Sequence, residues 1–257
     1  MNLDELFTKL DLEYSNQYIN LETFNFRTLS SEKLKQPKYL FRGEKSIYAT
    51  TNTTLKRLLN DKGQNFVNKL KVVNLRLYEY LKLAIWNQNI SDDSDSSIEL
   101  AIVGIMQHYG FETSFLDLTS NLKVALNFAA QGEVGKKGQL LVIESKKLNN
   151  NPVNYYFDLT TSIGLRLKKQ YSFVLWDQHR NLDLSNQSFL TVNNGEWYEF
   201  VLTEKDKTFF SEHSLLKTND DKIASLIVEW WNLGDLNNLE IDSEIKLHID
   251  AKIHALN

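Results

Sequence analysis

The order of hydrophobic periodicities constrains this chain most: helical spacing first, then a run of strand-like segments, then helical spacing again. Phe66, Leu70, Val73, Leu77, Leu81 and Ala84 recur at three and four, which predicts a helix over Phe66–Gln88. Ile98, Ala101, Ile102, Ile105 and Tyr109 predict a second over Ser97–Tyr109, ended by Gly110. A third, Leu122–Ala130, follows Asn121 and aligns Leu122, Ala125, Leu126 and Ala129. The acidic loop Ser91–Ser97 separates the first two. Tyr39–Arg42 is a short apolar run stopped by Gly43, and reads as a strand. Beyond Gly138 the texture changes. Gln139–Glu144, Val153–Leu159, Tyr171–Trp176, Ser188–Val192 and Trp197–Thr203 are rich in aromatic and β-branched residues. Asp221–Leu233 returns to helix. In Leu239–Ile253 the residues Ile245, Ile249 and Ile253 favour a helix, although Ile241, Ile245, Leu247 and Ile249 also alternate. Residues 1–38 read as one or two short helices and a loop ending near Pro37.

Strands that follow one another without intervening helices predict an α+β fold with a largely antiparallel sheet. A doubly wound nucleotide fold is disfavoured, and neither G-x-G-x-x-G after a strand nor a Walker A sequence is present. The 257 residues are divided into an N-terminal helical extension (1–38), a core (39–203) and a mainly helical tail (204–257) packed on that core.

Composition excludes several function classes. With Lys+Arg 29 against Asp+Glu 33, the net charge of −4 disfavours general binding to nucleic acid or anionic membranes. The absence of cysteine excludes disulfides, zinc ribbons and thiol catalysis. Five histidines without H-x-x-x-H spacing give no metal-ligand pattern, so no metal is expected. No apolar run reaches the length that crosses a bilayer, and Met1–Leu10 lacks a basic-then-apolar leader. A cytoplasmic protein with no membrane partner is the expectation.

Five places carry candidate chemistry. Arg42 ends an apolar strand before Gly43 and Glu44; a guanidinium so placed suits bidentate binding of phosphate or carboxylate, and Gly43 would let a ligand approach the backbone. The alternative is a strand-end arginine paired with a neighbouring carboxylate. His108, in Gln107-His108-Tyr109-Gly110, lies at a helix C-terminus, where the dipole favours its protonated form; the alternative is a buried, hydrogen-bonded histidine. Asp117 sits in a short strand that feeds a helix, placed to orient His108 or to bind a ribose hydroxyl, while Thr119 and Ser120 read as helix caps. Arg166 and Gln170 belong to a local basic cluster that a solvated loop explains equally well. Trp230 and Trp231 read as a docking face of a helix.

Taken in order, Phe41–Glu44, Gln107–Thr119, Asn121–Ala129 and Arg166–Phe173 resemble the FRG domain, a family named for its Phe-Arg-Gly motif. The resemblance covers roughly residues 39–176. One departure stands out: where the family has Pro-Thr-Arg-Leu-Leu-Asp, this chain has Glu112-Thr113-Ser114-Phe115-Leu116-Asp117, so Ser114 replaces an arginine. More distantly, the pattern is similar to ADP-ribosyltransferases of the arginine–serine–glutamate class. Arg42-Gly43 resembles their first strand, and Phe115–Ser120 followed by Val124–Phe128 resembles the serine-rich strand and its helix. Gln170 and Ser172 fall where the acidic pair would be, and the glutamate is absent.

The second resemblance implies a split, mostly antiparallel sheet and NAD as substrate. It implies Arg42, His108, Asp117 and Gln170 as catalytic residues, and Arg42, Gly43, Tyr109, Thr119 and Arg166 as NAD contacts. ADP-ribose would pass to a protein or nucleic acid, or to water in an NAD glycohydrolase, as in a bacterial toxin or defence effector. The competing expectation is a non-catalytic nucleotide-sensing or protein-binding module on the same fold. The missing glutamate and a tail offering Trp230 and Trp231 to a partner protein favour it.

Overall fold

A capping box starts the chain. Asn2 Oδ1 accepts from the Glu5 amide at 2.8 Å, and Glu5 returns a bond to the Asn2 amide at 3.0 Å. From there α1 runs over Leu3–Tyr14, with Leu3, Leu6, Leu10 and Tyr14 buried along one face. The computed structural model describes residues 1–25, 30–48, 53–87, 95–149, 154–158, 170, 172–177, 195–210, 221–233 and 241–256. After α1 come β1 (Tyr18–Asn25) and β2 (Ser30–Pro37), paired antiparallel from Tyr18↔Pro37 to Asn25↔Ser30. Here the chain departs from its expected helix and loop. No Asn-Gly or Asp-Gly pair advertises the turn, and the polar composition of Ser30–Pro37 hides the strand.

Among the described residues the main sheet has six strands in the order β6-β7-β4-β3-β5-β8, all antiparallel. They are β3 (Tyr39–Glu44), β4 (Leu116–Thr119), β5 (Lys137–Glu144), β6 (Asn154–Asp158), β7 (Ser172–Asp177) and β8 (Glu196–Val201). The α+β class with a largely antiparallel sheet is therefore as expected. The segment Ser188–Val192 lies outside the described residues, as do the outer residues Val153, Leu159 and Tyr171 of the expected strands.

The remaining helices follow their apolar spacing. α2 (Thr54–Asn87) starts earlier than predicted and breaks at Gly63, whose φ of 82° and ψ of 173° leave the helical region. α3 (Asp95–His108) ends at Gly110, with φ 87°. Asn121 caps α4 (Leu122–Ala129) by accepting from the Val124 amide at 3.2 Å, so neither Thr119 nor Ser120 is the cap. α5 (Ser145–Asn149), α6 (Glu204–Phe210), α7 (Lys222–Asn232) and α8 (Ser243–Leu256) complete the described elements. In α8 burial decides between the two periodicities. Ile245, Ile249 and Ile253 are buried, while Leu247 is 71% exposed.

Three apolar clusters hold these layers. Phe41, Leu140, Val142 and Phe200 pack with α1 and α4. Leu40, Leu116, Leu118, Leu141, Ile143, Phe173 and Leu175 meet Leu148 of α5. The third joins α2, α3, α7 and α8 to Phe111, Phe115 and Val174. Trp230 lies inside it, and Trp231 Nε1 donates to Asp250 of α8 at 2.8 Å. The docking that this pair performs is thus within the chain. No helix among the described residues is long and apolar enough to cross a membrane.

Candidate functional site

β3 pairs with β5 at six positions, from Tyr39↔Glu144 to Glu44↔Gln139, but with β4 at one, Phe41↔Thr119. Beyond that single pair the two strands part, and polar side chains gather in the opening. Arg42 Nη1 donates to the Asp117 carbonyl at 2.7 Å, supplying a hydrogen bond where the β3–β4 ladder gives none. Arg42 Nε donates to Glu44 Oε1 at 2.5 Å, both residues being buried. Burial alone would lower the Arg42 pKa, but the charges of Glu44 and Asp117 outweigh it and raise it, so the guanidinium stays charged. The paired strand-end arginine is the alternative that the geometry matches.

Each residue of the Phe-Arg-Gly run therefore has its own neighbour. Phe41 is 1% exposed in the α1–α4 cluster. Gly43 faces α4: a Cβ there would lie 1.8 Å from the Ala125 carbonyl oxygen and 3.0 Å from Ala129 Cβ. The missing side chain is what lets α4 approach the strand.

On the β4 side, Asp117 is held at one oxygen. Gln107 Nε2 donates to Asp117 Oδ2 at 2.9 Å. Gln107 Oε1 accepts from the hydroxyls of Thr113 and, at 3.1 Å, Thr54, which fixes the amide with its NH₂ toward the carboxylate. Asp117 Oδ1 accepts no hydrogen bond among the described residues and lies 3.8 Å from His108 Nε2. His108 Nδ1 shares a 2.6 Å hydrogen bond with Gln170 Oε1, and Thr119 Oγ1 donates to the Gln170 carbonyl at 2.7 Å. Thr119 Oγ1 also accepts from the Asn121 amide at 3.1 Å. Gln170 thus joins the end of α3 to β4 just before β7 begins. Arg166 lies outside the described residues.

Arg42, Gly43, His108, Tyr109, Asp117, Thr119 and Gln170 all line one pocket of about 590 Å³. Tyr109 is 2% exposed, and its hydroxyl donates to both oxygens of Asp221 at 2.5 and 2.6 Å, tying α3 to the cap of α7. Ser114 is partly exposed and does not line the pocket. Three contributors had no role assigned from the sequence. Gln107 orients Asp117. Arg57, on the first turn of α2, lies 3.4 Å from Glu44 Oε2 and 5.5 Å from the Tyr48 ring centroid. The third is a wall from α8, made by His248, Ala251, Lys252, Ala255 and Leu256. The QHYG block contains Gln107, so that residue was within reach of the motif. Arg57 sits in a polar stretch with no motif around it, and only the tertiary fold finds it.

The α8 wall is pinned by charge. Glu112 accepts from Lys252 Nζ at 2.7 Å and lies 3.1 Å from His248 Nε2, and Lys252 also donates to the Gly110 carbonyl. Burial pushes the Glu112 pKa up, but its bonds to His248 and Lys252 prevail and hold it below the ordinary carboxylate value.

No curated protein and no solved structure matches the chain. Residues 37–137 match the family model of the FRG domain, a span that runs from the end of β2 to the start of β5 and contains every pocket residue named above except Gln170 and the α8 wall. The Phe-Arg-Gly strand, the QHYG helix end and the strand bearing Asp117 thus all fall within the stretch that is similar to the FRG domain, residues 37–137.

Proposed function

We propose that the chain is an NAD-dependent, ADP-ribosyltransferase-like enzyme that passes ADP-ribose to a macromolecular acceptor or to water, in the manner of a bacterial toxin or defence effector. One observation carries this reading. Asp117, in a pocket of nucleotide-sized volume, has one oxygen fixed by Gln107 and the other, beside His108, without a hydrogen bond among the described residues.

In such a reaction the bond between the ribose anomeric carbon and the nicotinamide nitrogen breaks, and its electron pair leaves with neutral nicotinamide. The acceptor gives an electron pair to the anomeric carbon and loses a proton. Asp117 Oδ1 supplies negative charge for the cation that develops on the ribose, as carboxylates do in glycoside hydrolysis. His108, steadied through Nδ1 by Gln170, takes the acceptor's proton. Arg42 holds the opening between β3 and β4 in shape, so that Asp117 stays where this chemistry needs it.

A second reading, a nucleotide-sensing module without turnover, draws on Gln170. Its amide bonds His108 and, by the resemblance to the transferases, stands where they carry an acidic residue.

The test is to incubate the purified chain with labelled NAD and a microbial lysate, following nicotinamide release and label transfer. Asp117→Asn keeps the shape and removes the charge. Turnover is expected to fall about a hundredfold or more in the variant. Unchanged turnover takes Asp117 out of the chemistry. NAD binding without release favours the sensing module, and a chain that neither binds nor cleaves NAD overturns both readings.

A further inference from the structure

We infer that the pocket carries a separate diphosphate-binding subsite whose anion-gripping group is Arg57, with Lys45 beside it. The NAD reading above supplies only the identity of the dinucleotide.

The argument begins with Arg42, the guanidinium that the Phe-Arg-Gly motif puts forward. It is 9% exposed, with Nε on Glu44 and Nη1 on the Asp117 carbonyl. A phosphate that drew it away would leave a buried carboxylate and a strand carbonyl without their donor, which is costly. Glu44, however, stands between two guanidiniums. Its Oε1 is 2.5 Å from Arg42 and its Oε2 is 3.4 Å from Arg57. One negative charge cannot neutralise two positive ones, and the shorter contact assigns it to Arg42. Arg57 therefore carries the surplus charge, with 32% of its side chain exposed at the pocket.

Its surroundings suit an anion. Arg57 belongs to the first turn of α2, whose dipole places positive potential at that end. That turn is anchored, because the Leu55 amide donates to the Thr113 carbonyl at 3.2 Å and the Thr113 amide to Thr54 Oγ1 at 3.1 Å. The guanidinium is thus held on a fixed base 5.5 Å from the Tyr48 ring centroid, with Nη1 on Glu44 and, among the described residues, the other nitrogens of its fork available to an anion. Lys45 follows the end of β3 and is exposed, and Lys252 stands on the α8 side. With Lys252 committed to Glu112, the lining still holds Arg42, Lys45 and Arg57 against the carboxylates Glu44 and Asp117, in a chain whose overall charge is −4. A net positive pocket in a negative protein selects an anionic ligand. Asp117 lines the same pocket, and the ligand that satisfies both is a ribose bearing a diphosphate.

Calorimetry on the full chain tests this with three probes: ADP-ribose, adenosine and inorganic pyrophosphate. The proteins are wild type, Arg57→Gln and Arg57→Lys, with circular dichroism melting to check the fold. Arg57→Gln is expected to weaken ADP-ribose about tenfold or more, and Arg57→Lys by less, while adenosine is unaffected. Should Arg57→Gln fail to fold, Arg57→Lys carries the comparison. ADP-ribose affinity within about twofold of wild type in both variants overturns the subsite and leaves the NAD reading intact. Equal weakening of adenosine also overturns it, since Arg57 would then act on the fold. Arg57-dependent binding of pyrophosphate without ADP-ribose binding upholds the subsite and removes the dinucleotide. If wild type binds none of the three, the subsite is wrong.

Discussion

The two flanks of β3 differ sharply. Toward β5 the ladder is complete over six pairs, and the side chains beside it are Leu140, Leu141, Val142 and Ile143, all buried. Toward β4 the ladder has one pair, and the groups beyond it are the polar side chains of Arg42, Glu44 and, across the opening, Asp117 and Gln107. A finished ladder satisfies its own backbone and needs only apolar contact. A ladder that stops leaves carbonyls and amides that side chains must satisfy. Chemistry collects on the second flank because the sheet is incomplete there.

This comparison can be broken most directly at Arg42. Arg42→Ala leaves Glu44 buried with only the longer, 3.4 Å contact to Arg57 and leaves the Asp117 carbonyl without its donor. A loss of about 4 kcal/mol in urea unfolding is expected, and a loss under about 1 kcal/mol would mean that the flank does not depend on its guanidinium. Next comes Gly43→Ala. Its Cβ would meet the Ala125 carbonyl oxygen at 1.8 Å, so α4 must shift. The expected loss is about 3 kcal/mol, read by the same unfolding curve. The smallest effect concerns the wall opposite. Glu112 has a folded pKa below its ordinary 4.5. Its contribution is therefore whole above that value and drains as pH falls through the lowered folded value. As pH falls from 4.5 through the lowered folded value, the wild type should lose more stability than Glu112→Gln. Equal pH profiles for the two would remove the charge clamp on α8.

The sequence exposes what repeats along one element and conceals what two elements make together. Leu70, Val73, Leu77 and Leu81 announce the buried face of α2 because each sits one turn from the next. The β1–β2 pairing stays hidden because β2, Ser30–Pro37, is polar and no Asn-Gly or Asp-Gly pair stands between the two strands. Arg42, His108, Asp117, Thr119 and Gln170 were legible as candidates, and one pocket gathers them. Their bonds were not legible. That Arg42 binds a carbonyl 75 residues away, and that Gln107 is oriented by two threonines, depends on where the strands part. Arg57 was invisible for the same reason: its importance comes from sharing Glu44 with Arg42, a fact of three dimensions.

The α8 wall has a consequence for how such a site can be varied. Nearly all the groups with chemical capability lie within residues 37–137, whereas the face opposite them is built by Ser243–Leu256, more than a hundred residues later. Reactive apparatus and enclosure are therefore written in separate stretches of the chain. Exchanging the last helix would remodel the size and charge of the chamber without touching a single reactive group. A fragment cut to residues 37–137 would keep most of those groups and lose the chamber.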